Sequence, residues 1–358
     1  LNNNFFNKLA PLCQQPVFAH LFCEAPHPAF TAYSITFCFS RPYLIRHPYV
    51  MIHSAKDAKT DMYDVIIIGG GPAGLNAAMI LGRSRRKVVV FDSGKPRNRW
   101  AVAMNGFLSS DGMSPKEFIQ KGREELKKYD VEIVNKTVAS ATYTKGNFVV
   151  NDVEGNVHRS RKLLLATGLR DILPELEGFE EMYGKSIHHC PYCDGWESRD
   201  MAIAVYGQDR KGIGQALAMK NWSDRVTLYT DGTNKLRRKD LELLERNGVD
   251  VCTTAITRLE GKDGRLQRIV LEDGEEREQQ AMFFSTGTVQ QCDLGEQLGC
   301  EFTSKGIIKT RRLQRSNIPG LYVAGDADRD VQLVVVAAAE GAKAGVAINM
   351  ELQKEDRK

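Results

Sequence analysis

The stretch Asp64-Val65-Ile66-Ile67-Ile68 passes without a break into Gly69-Gly70-Gly71-Pro72-Ala73-Gly74. A short apolar run of this kind suits a strand buried on both faces in a parallel sheet. The turn after it carries glycines at positions one, three and six of a dinucleotide fingerprint. Gly69 permits the tight turn, Gly71 lets bare backbone approach a pyrophosphate, and Gly74 lets helix pack on strand. Residues 75–81 read as the helix, whose N-terminus, with Pro72 and Ala73, offers unpaired N–H groups and a positive dipole end to phosphate. Residues 87–91 read as the second strand. Asp92 closes it 18 residues beyond Gly74, where a carboxylate can bond a ribose hydroxyl. Strand, turn, helix, strand and acid together predict a βαβ dinucleotide-binding unit.

A second stretch carries the chemistry: His188-His189-Cys190-Pro191-Tyr192-Cys193-Asp194-Gly195-Trp196-Glu197. Two cysteines at this spacing can cycle between dithiol and disulfide, and the proline between them favours a pre-set turn. Among βαβ units, such a pair points to redox chemistry. The competing reading is half of a zinc site, with His188 or His189 joining the thiolates. A four-ligand site needs a second pair, and none stands at a recognisable spacing, so no metal site is expected. His188 and His189 are either strand-end residues or groups that lower the Cys190 thiol pKa and shuttle protons. Trp196 is expected to pack, and the isolated Cys252, Cys292 and Cys300 read as ordinary thiols.

The chain has 358 residues, enough for two domains, and a formal charge of +4 with no basic block. Nucleic acid and membrane surfaces are therefore excluded as main partners, and no apolar run is long enough to span a bilayer. The first sixty residues differ from the rest. They hold no glycine out of 31, yet four of the seven histidines, seven of the fifteen phenylalanines, and Cys13, Cys23 and Cys38. A presequence, an accessory domain and an upstream region joined by a wrong start all compete here. The last is preferred, with Met51 or Met62 as the start and residues 1–61 a non-native or disordered extension. Beyond Met62 no closely spaced disulfide framework appears, which argues against a secreted, stapled fold.

Leu163-Leu164-Leu165-Ala166-Thr167-Gly168 is another apolar strand ending in a small turn, and Leu321-Tyr322-Val323-Ala324-Gly325-Asp326 a further one ending in Gly-Asp. With these motifs in order, the chain from Met62 onward resembles the two-dinucleotide flavoproteins, specifically thioredoxin reductase and its low-molecular-weight relatives. The resemblance implies an α/β fold of two Rossmann-like, three-layer domains, the second inserted in the first. Residues 62–178 and 290–358 would form the FAD domain, and residues 179–289 a pyridine-nucleotide-type domain carrying the C-x-x-C. FAD would be held by Gly69, Gly71, Pro72, Ala73, Gly74, Asp92, Thr167, Gly168, Gly325 and Asp326, the last on its ribityl chain. Cys193 would face the flavin, Cys190 would exchange with a substrate disulfide, and Asp194 would move protons. A final helix over residues 332–352 suits packing near a cofactor or a partner subunit. A thioredoxin-like protein or small disulfide or dithiol, a homodimer and a cytoplasmic location also follow from the resemblance.

One region departs from that pattern. Residues 201–206 and 225–229 read as strands of a second βαβ unit, with a helix from about 213 to 222. The turn between is Gly207-Gln208-Asp209-Arg210-Lys211-Gly212, so Asp209 replaces the middle glycine. A carboxylate about 5 Å from a phosphate costs on the order of 3 kcal/mol at an effective dielectric of about 20. That weakens binding roughly a hundredfold. Where thioredoxin reductases carry a His-Arg-Arg cluster for the 2′-phosphate of NADPH, this chain has Thr230-Asp231-Gly232. Asp231 would repel that phosphate but could bond an NADH ribose. NADPH and NADH are both doubtful, and a scaffold that has lost the nicotinamide is preferred. The expectation is an FAD-dependent disulfide oxidoreductase whose donor is not NADPH, with ferredoxin-like donors and oxygen as the next candidates. The alternatives are a dithiol oxidase using oxygen, or a flavin-bound redox or metal sensor without turnover.

Overall fold

The computed structural model describes residues 62–233, 236–328 and 331–358. The extension expected over residues 1–61 lies outside them. One mixed and one parallel sheet organise the rest. The first runs, in spatial order, Glu132–Val134, Val88–Phe91, Tyr63–Ile68, Val157–Leu165, Asn147–Asp152 and Val138–Thr144, with Leu321–Val323 beside the far end of Val157–Leu165. Its central strands are parallel, and the last two pair antiparallel. The second sheet is parallel throughout: Val249–Cys252, Val226–Tyr229, Ile203–Tyr206, Ala281–Phe284 and Ile187–His188. The strands of the second sheet all lie, in sequence, between those of the first. The fold is α/β with two Rossmann-like dinucleotide-binding units, one inserted in the other.

The apolar runs are continuous because both faces of each sheet are covered. Val65 and Ile67 enter a core with the Pro72–Arg83 helix, while Ile66 and Ile68 face the opposite core with Phe148 and Leu294. Full burial of each such side chain is worth about 1.5–3 kcal/mol, so a slip in register would expose no compensating face. Val334–Asp356, starting two residues later than expected and running four further, lies along the first helix. A Cβ on Gly341 would meet the Ala73 carbonyl oxygen at 1.9 Å, so only glycine allows that approach.

The second unit begins its own βαβ with Ile203–Tyr206, the helix Arg210–Met219 and Val226–Tyr229. Leu169–Asp171 and Thr288–Gln290 pair antiparallel as a two-stranded ribbon where the chain passes between the units. The sequence expectation puts those passages near Gly178 and Val289; the second lies within the ribbon and the first beyond it. Ile256–Lys262, Arg265–Leu271 and Glu276–Glu278 form a separate antiparallel sheet. No helix among the described residues is long and apolar enough to cross a membrane.

Candidate active site

A cavity of about 900 Å³ opens at the C-terminal ends of the first sheet's parallel strands. Crevices at that edge are where doubly wound sheets take ligands. Gly69, Gly71, Pro72, Ala73, Asp92, Thr167, Gly168, Gly325 and Asp326 all line it; Gly74 lies just behind. The three fingerprint glycines differ as their positions dictate. Gly69 has φ +111, and a Cβ there would strike the Ala166 carbonyl oxygen at 2.1 Å. A Cβ on Gly74 would stand 1.9 Å from the Gly69 oxygen, whereas one on Gly71 would meet nothing within 4 Å. The wall at Gly71 is thus bare backbone facing open space, with the helix N-terminus behind it, a fit for pyrophosphate. The fingerprint demands nothing of Gly70, yet a Cβ there would lie 2.6 Å from the Asp92 carboxyl. Asp92 accepts from the Gly94 amide and pairs with Arg123.

Cys190 and Cys193 are joined in a disulfide with Cα atoms 5.3 Å apart, within the normal range. Cys190 N-caps the single helical turn Pro191–Asp194, its sulfur accepting from the Cys193 amide at 3.2 Å. A Cβ on Gly195 would meet the Trp222 ring at 2.7 Å, so glycine lets that ring close over the turn. Cys193 and Asp194 line the cavity, while Cys190 is partly exposed outside it. The Asn105 side-chain amide donates to the Cys193 carbonyl at 2.9 Å. Burial, then the charge of Glu197, pushes the Asp194 carboxyl up to about 7. A group that changes charge near neutral pH is suited to proton transfer.

Burial, then mutual repulsion with His189, brings His188 down to about 4, and burial, then Arg97, does the same to His189. Both rings are neutral at pH 7, so neither lowers a thiol pKa by carrying charge. Trp196 does not pack as expected: it is 65% exposed, with the Arg199 guanidinium 4.3 Å over its ring. Cys252, Cys292 and Cys300 are free thiols. No group of three or more His, Cys, Asp or Glu among the described residues is placed to hold a metal.

A cluster that no sequence motif signals crosses the cavity floor. Arg97 forks onto Asp171 at 2.5 and 3.0 Å, reaches Asp326 at 3.1 Å and bonds Gln332. The Tyr183 hydroxyl donates to Asp171 at 2.7 Å. Burial opposes charge on Asp171, but the Arg97 bonds outweigh it and hold the carboxyl low. Burial raises Asp326 despite the same arginine. Only Asp326 is marked by a local pattern, the Gly-Asp strand end; the others come from distant stretches of chain, so no motif announces them.

In the second unit, Asp209 N-caps the Arg210–Met219 helix, its carboxylate accepting from the Lys211 and Gly212 amides at 2.9 and 3.3 Å. The chain's own carboxylate thus occupies donors that a pyrophosphate would need. Asp231, read from sequence as a possible ribose ligand, instead accepts from the Tyr206 hydroxyl and the Ile256 amide, both at 2.8 Å. Arg237 and Arg238, the next basic groups described, pair with Asp240 and Glu242 of their own helix.

Residues 63–341 match the family model described as pyridine nucleotide-disulphide oxidoreductase. The chain is 31% identical over 308 residues to thioredoxin reductase tcpT of Claviceps purpurea, covering 82% of this chain and 95% of that protein. The crystal structure of HlmI superposes with a TM-score of 0.80 at 36% identity, covering 82% of this chain and 94% of that one. An oxidoreductase structure from Agrobacterium tumefaciens gives 0.76 at 34%, covering 82% and 99%. Matched over 82% of its length in sequence and in fold, the chain belongs to the pyridine nucleotide–disulphide oxidoreductases and is an oxidoreductase of the thioredoxin reductase type.

Proposed function

We propose that this enzyme is an FAD-dependent dithiol–disulfide oxidoreductase in which electrons pass between FAD and the Cys190–Cys193 pair, with a donor other than NADPH. One observation carries the reading: Cys193 and Asp194 line the same cavity as Gly69, Gly70, Gly71, Pro72 and Ala73. The FAD domain would comprise residues 62–178 and 290–358, and the domain carrying the thiols residues 179–289. Gly69, Gly71, Pro72, Ala73 and Gly74 would cradle the pyrophosphate, Asp92 the ribose and Asp326 the ribityl chain, with Thr167, Gly168 and Gly325 shaping the wall. FAD, when bound, supplies or accepts the electron pair.

Opening the Cys190–Cys193 bond takes up two electrons and two protons and yields two thiols. Cys193 lines the cavity and Cys190 does not, which supports Cys190 as the sulfur that exchanges with a substrate disulfide. Asp194 gives one proton to the thiolate that forms and recovers it when the disulfide closes. The substrate is a thioredoxin-like protein or a small disulfide, and the enzyme a cytoplasmic homodimer; the names of relatives such as tcpT support the first of these.

The capped helix at Asp209 and the committed carboxylate at Asp231 support a donor of another class, such as a ferredoxin-like protein. They also favour a second reading, in which a dithiol is oxidised at Cys190 and oxygen takes the electrons. Hydrogen peroxide formed in step with dithiol loss would mark it. Anaerobic titration with NADPH, then NADH, tests the donor: rapid stoichiometric bleaching of the flavin by either refutes the reading. Cys190→Ser should keep FAD bound and lose disulfide reduction, and retained reduction would sink the mechanism.

A further inference from the structure

Arg97 is a buried cation that lines the cavity, and the reaction above does not use it. It opens the turn Arg97–Trp100 directly after Pro96, whose φ of −63 presets the bend. Two carboxylates share its guanidinium. Asp171, on the ribbon strand Leu169–Asp171 and outside the cavity lining, takes the Nε proton and one from Nη2, and is itself fixed by the Tyr183 hydroxyl. Asp326 Oδ2 and Gln332 take the two Nη1 protons. One proton of the five is left, so the guanidinium has little to offer a ligand directly. Asp326 has more: its side chain is 22% exposed and lines the cavity, and its Oδ1 accepts from none of the described residues. We propose that Arg97 is a positioning residue for Asp326, tying down Oδ2 and so leaving Oδ1 for a ribityl hydroxyl of bound FAD. The inference rests on the proposed role of Asp326 in holding FAD.

The same contact bears on charge. Burial favours the acid form of Asp326, as do the like charges of Asp171 on the ribbon and Glu340 on the last helix, and Arg97 opposes all three. Gln332 carries no charge, and His189, 3.9 Å from Asp171, is neutral at pH 7. A hydroxyl bonds a carboxylate about twice as strongly as it bonds the neutral acid. Neither neighbouring carboxylate can stand in for Asp326. Asp171 does not reach the cavity, and Glu340 accepts from the Gly325 amide. An arginine that only braced the ribbon against the floor would affect FAD equally at every pH. One that holds Asp326 as a carboxylate affects it only where the acid would otherwise form.

The test is titration of each apo-protein with FAD from acid to alkaline pH, read by flavin fluorescence rather than by turnover. Affinity should rise with pH to a plateau, and Asp326→Asn should abolish the break. Arg97→Met should move the break up by about one pH unit or more, since an opposite charge in contact shifts a carboxyl by about 1–3 units. Between the two breaks FAD should bind up to about tenfold more weakly. Arg97→Lys keeps the charge and should bring the break back down. If the methionine variant does not fold, Arg97→Met with Asp171→Asn removes both charges of the pair. The break should still move up there, because Arg97 weighs more on Asp326 than Asp171 does. A break unmoved or lowered in the folded variant, or a loss of affinity equal at every pH, overturns the proposal. Failure of the unaltered protein to take up FAD would sink the functional reading and this inference with it; FAD bound with a break indifferent to Arg97 sinks this inference alone.

Discussion

Gly71→Ala and Gly74→Ala are one chemical change made three residues apart, and the structure sets opposite outcomes for them. At Gly71 the backbone has φ −79, open to alanine, and the new methyl meets nothing within 4 Å. Folding should change by no more than about 0.5 kcal/mol, as for a surface substitution. What is lost is the approach of backbone to pyrophosphate. A hydrogen bond to a charged oxygen is worth about 1.5–3 kcal/mol, so FAD should bind about tenfold to hundredfold more weakly. At Gly74 the methyl would lie 1.9 Å from the Gly69 oxygen and 3.0 Å from its carbonyl carbon. Backbone cannot yield there as a side chain would, so the helix must move off the strand, at a cost of about 1–3 kcal/mol or more. The assay is thermal unfolding of each apo-protein, followed by titration with FAD. Gly71→Ala should melt like the unaltered protein and bind poorly; Gly74→Ala should melt lower. Unchanged FAD affinity in Gly71→Ala would falsify the assignment of that turn to pyrophosphate.

Asp194 links stability to pH. Its folded pKa of about 7 exceeds the unfolded value of about 3.9, so its contribution is intact below the unfolded value and is lost as pH rises through the folded one. Three units at about 1.4 kcal/mol each amount to about 4 kcal/mol above pH 7. Asp194→Asn should therefore resist urea better than the unaltered protein at alkaline pH and match it in acid; parallel pH profiles would refute the burial argument. Asp209→Gly removes the carboxylate and frees the Lys211 and Gly212 amides, at a capping cost of a few tenths of a kcal/mol. Nicotinamide binding should tighten by up to about a hundredfold. No gain in an anaerobic titration would show that Asp209 is not the obstacle.

The strand–turn–helix around Gly69–Gly74 and the redox turn at Cys190–Cys193 are legible in the sequence because their determinants are local. Apolar period, glycine placement and a capping cysteine act over a few residues, and the structure differs from the expected helix bounds by only a turn or so. Trp196 defeats the sequence reading because nothing in its neighbours says whether a ring ends against a core or under Arg199 in solvent. Asp231 reads as a polar residue after a strand, and only the folded chain brings the Tyr206 hydroxyl and the Ile256 amide to its two oxygens.

By itself, then, the sequence determined the doubly wound class, the nucleotide turn, the thiol pair and the loss of the middle glycine at Asp209. Tertiary structure alone decided which polar groups meet and which stay charged. Arg97 reaches Asp326 across 229 residues of chain, and His188 faces Asp194 from a neighbouring strand end. Burial then makes the imidazole neutral and Asp194 an acid near pH 7. Desolvation and long-range pairing depend on what surrounds a group in space, and that environment exists only once both sheets have closed over the cavity.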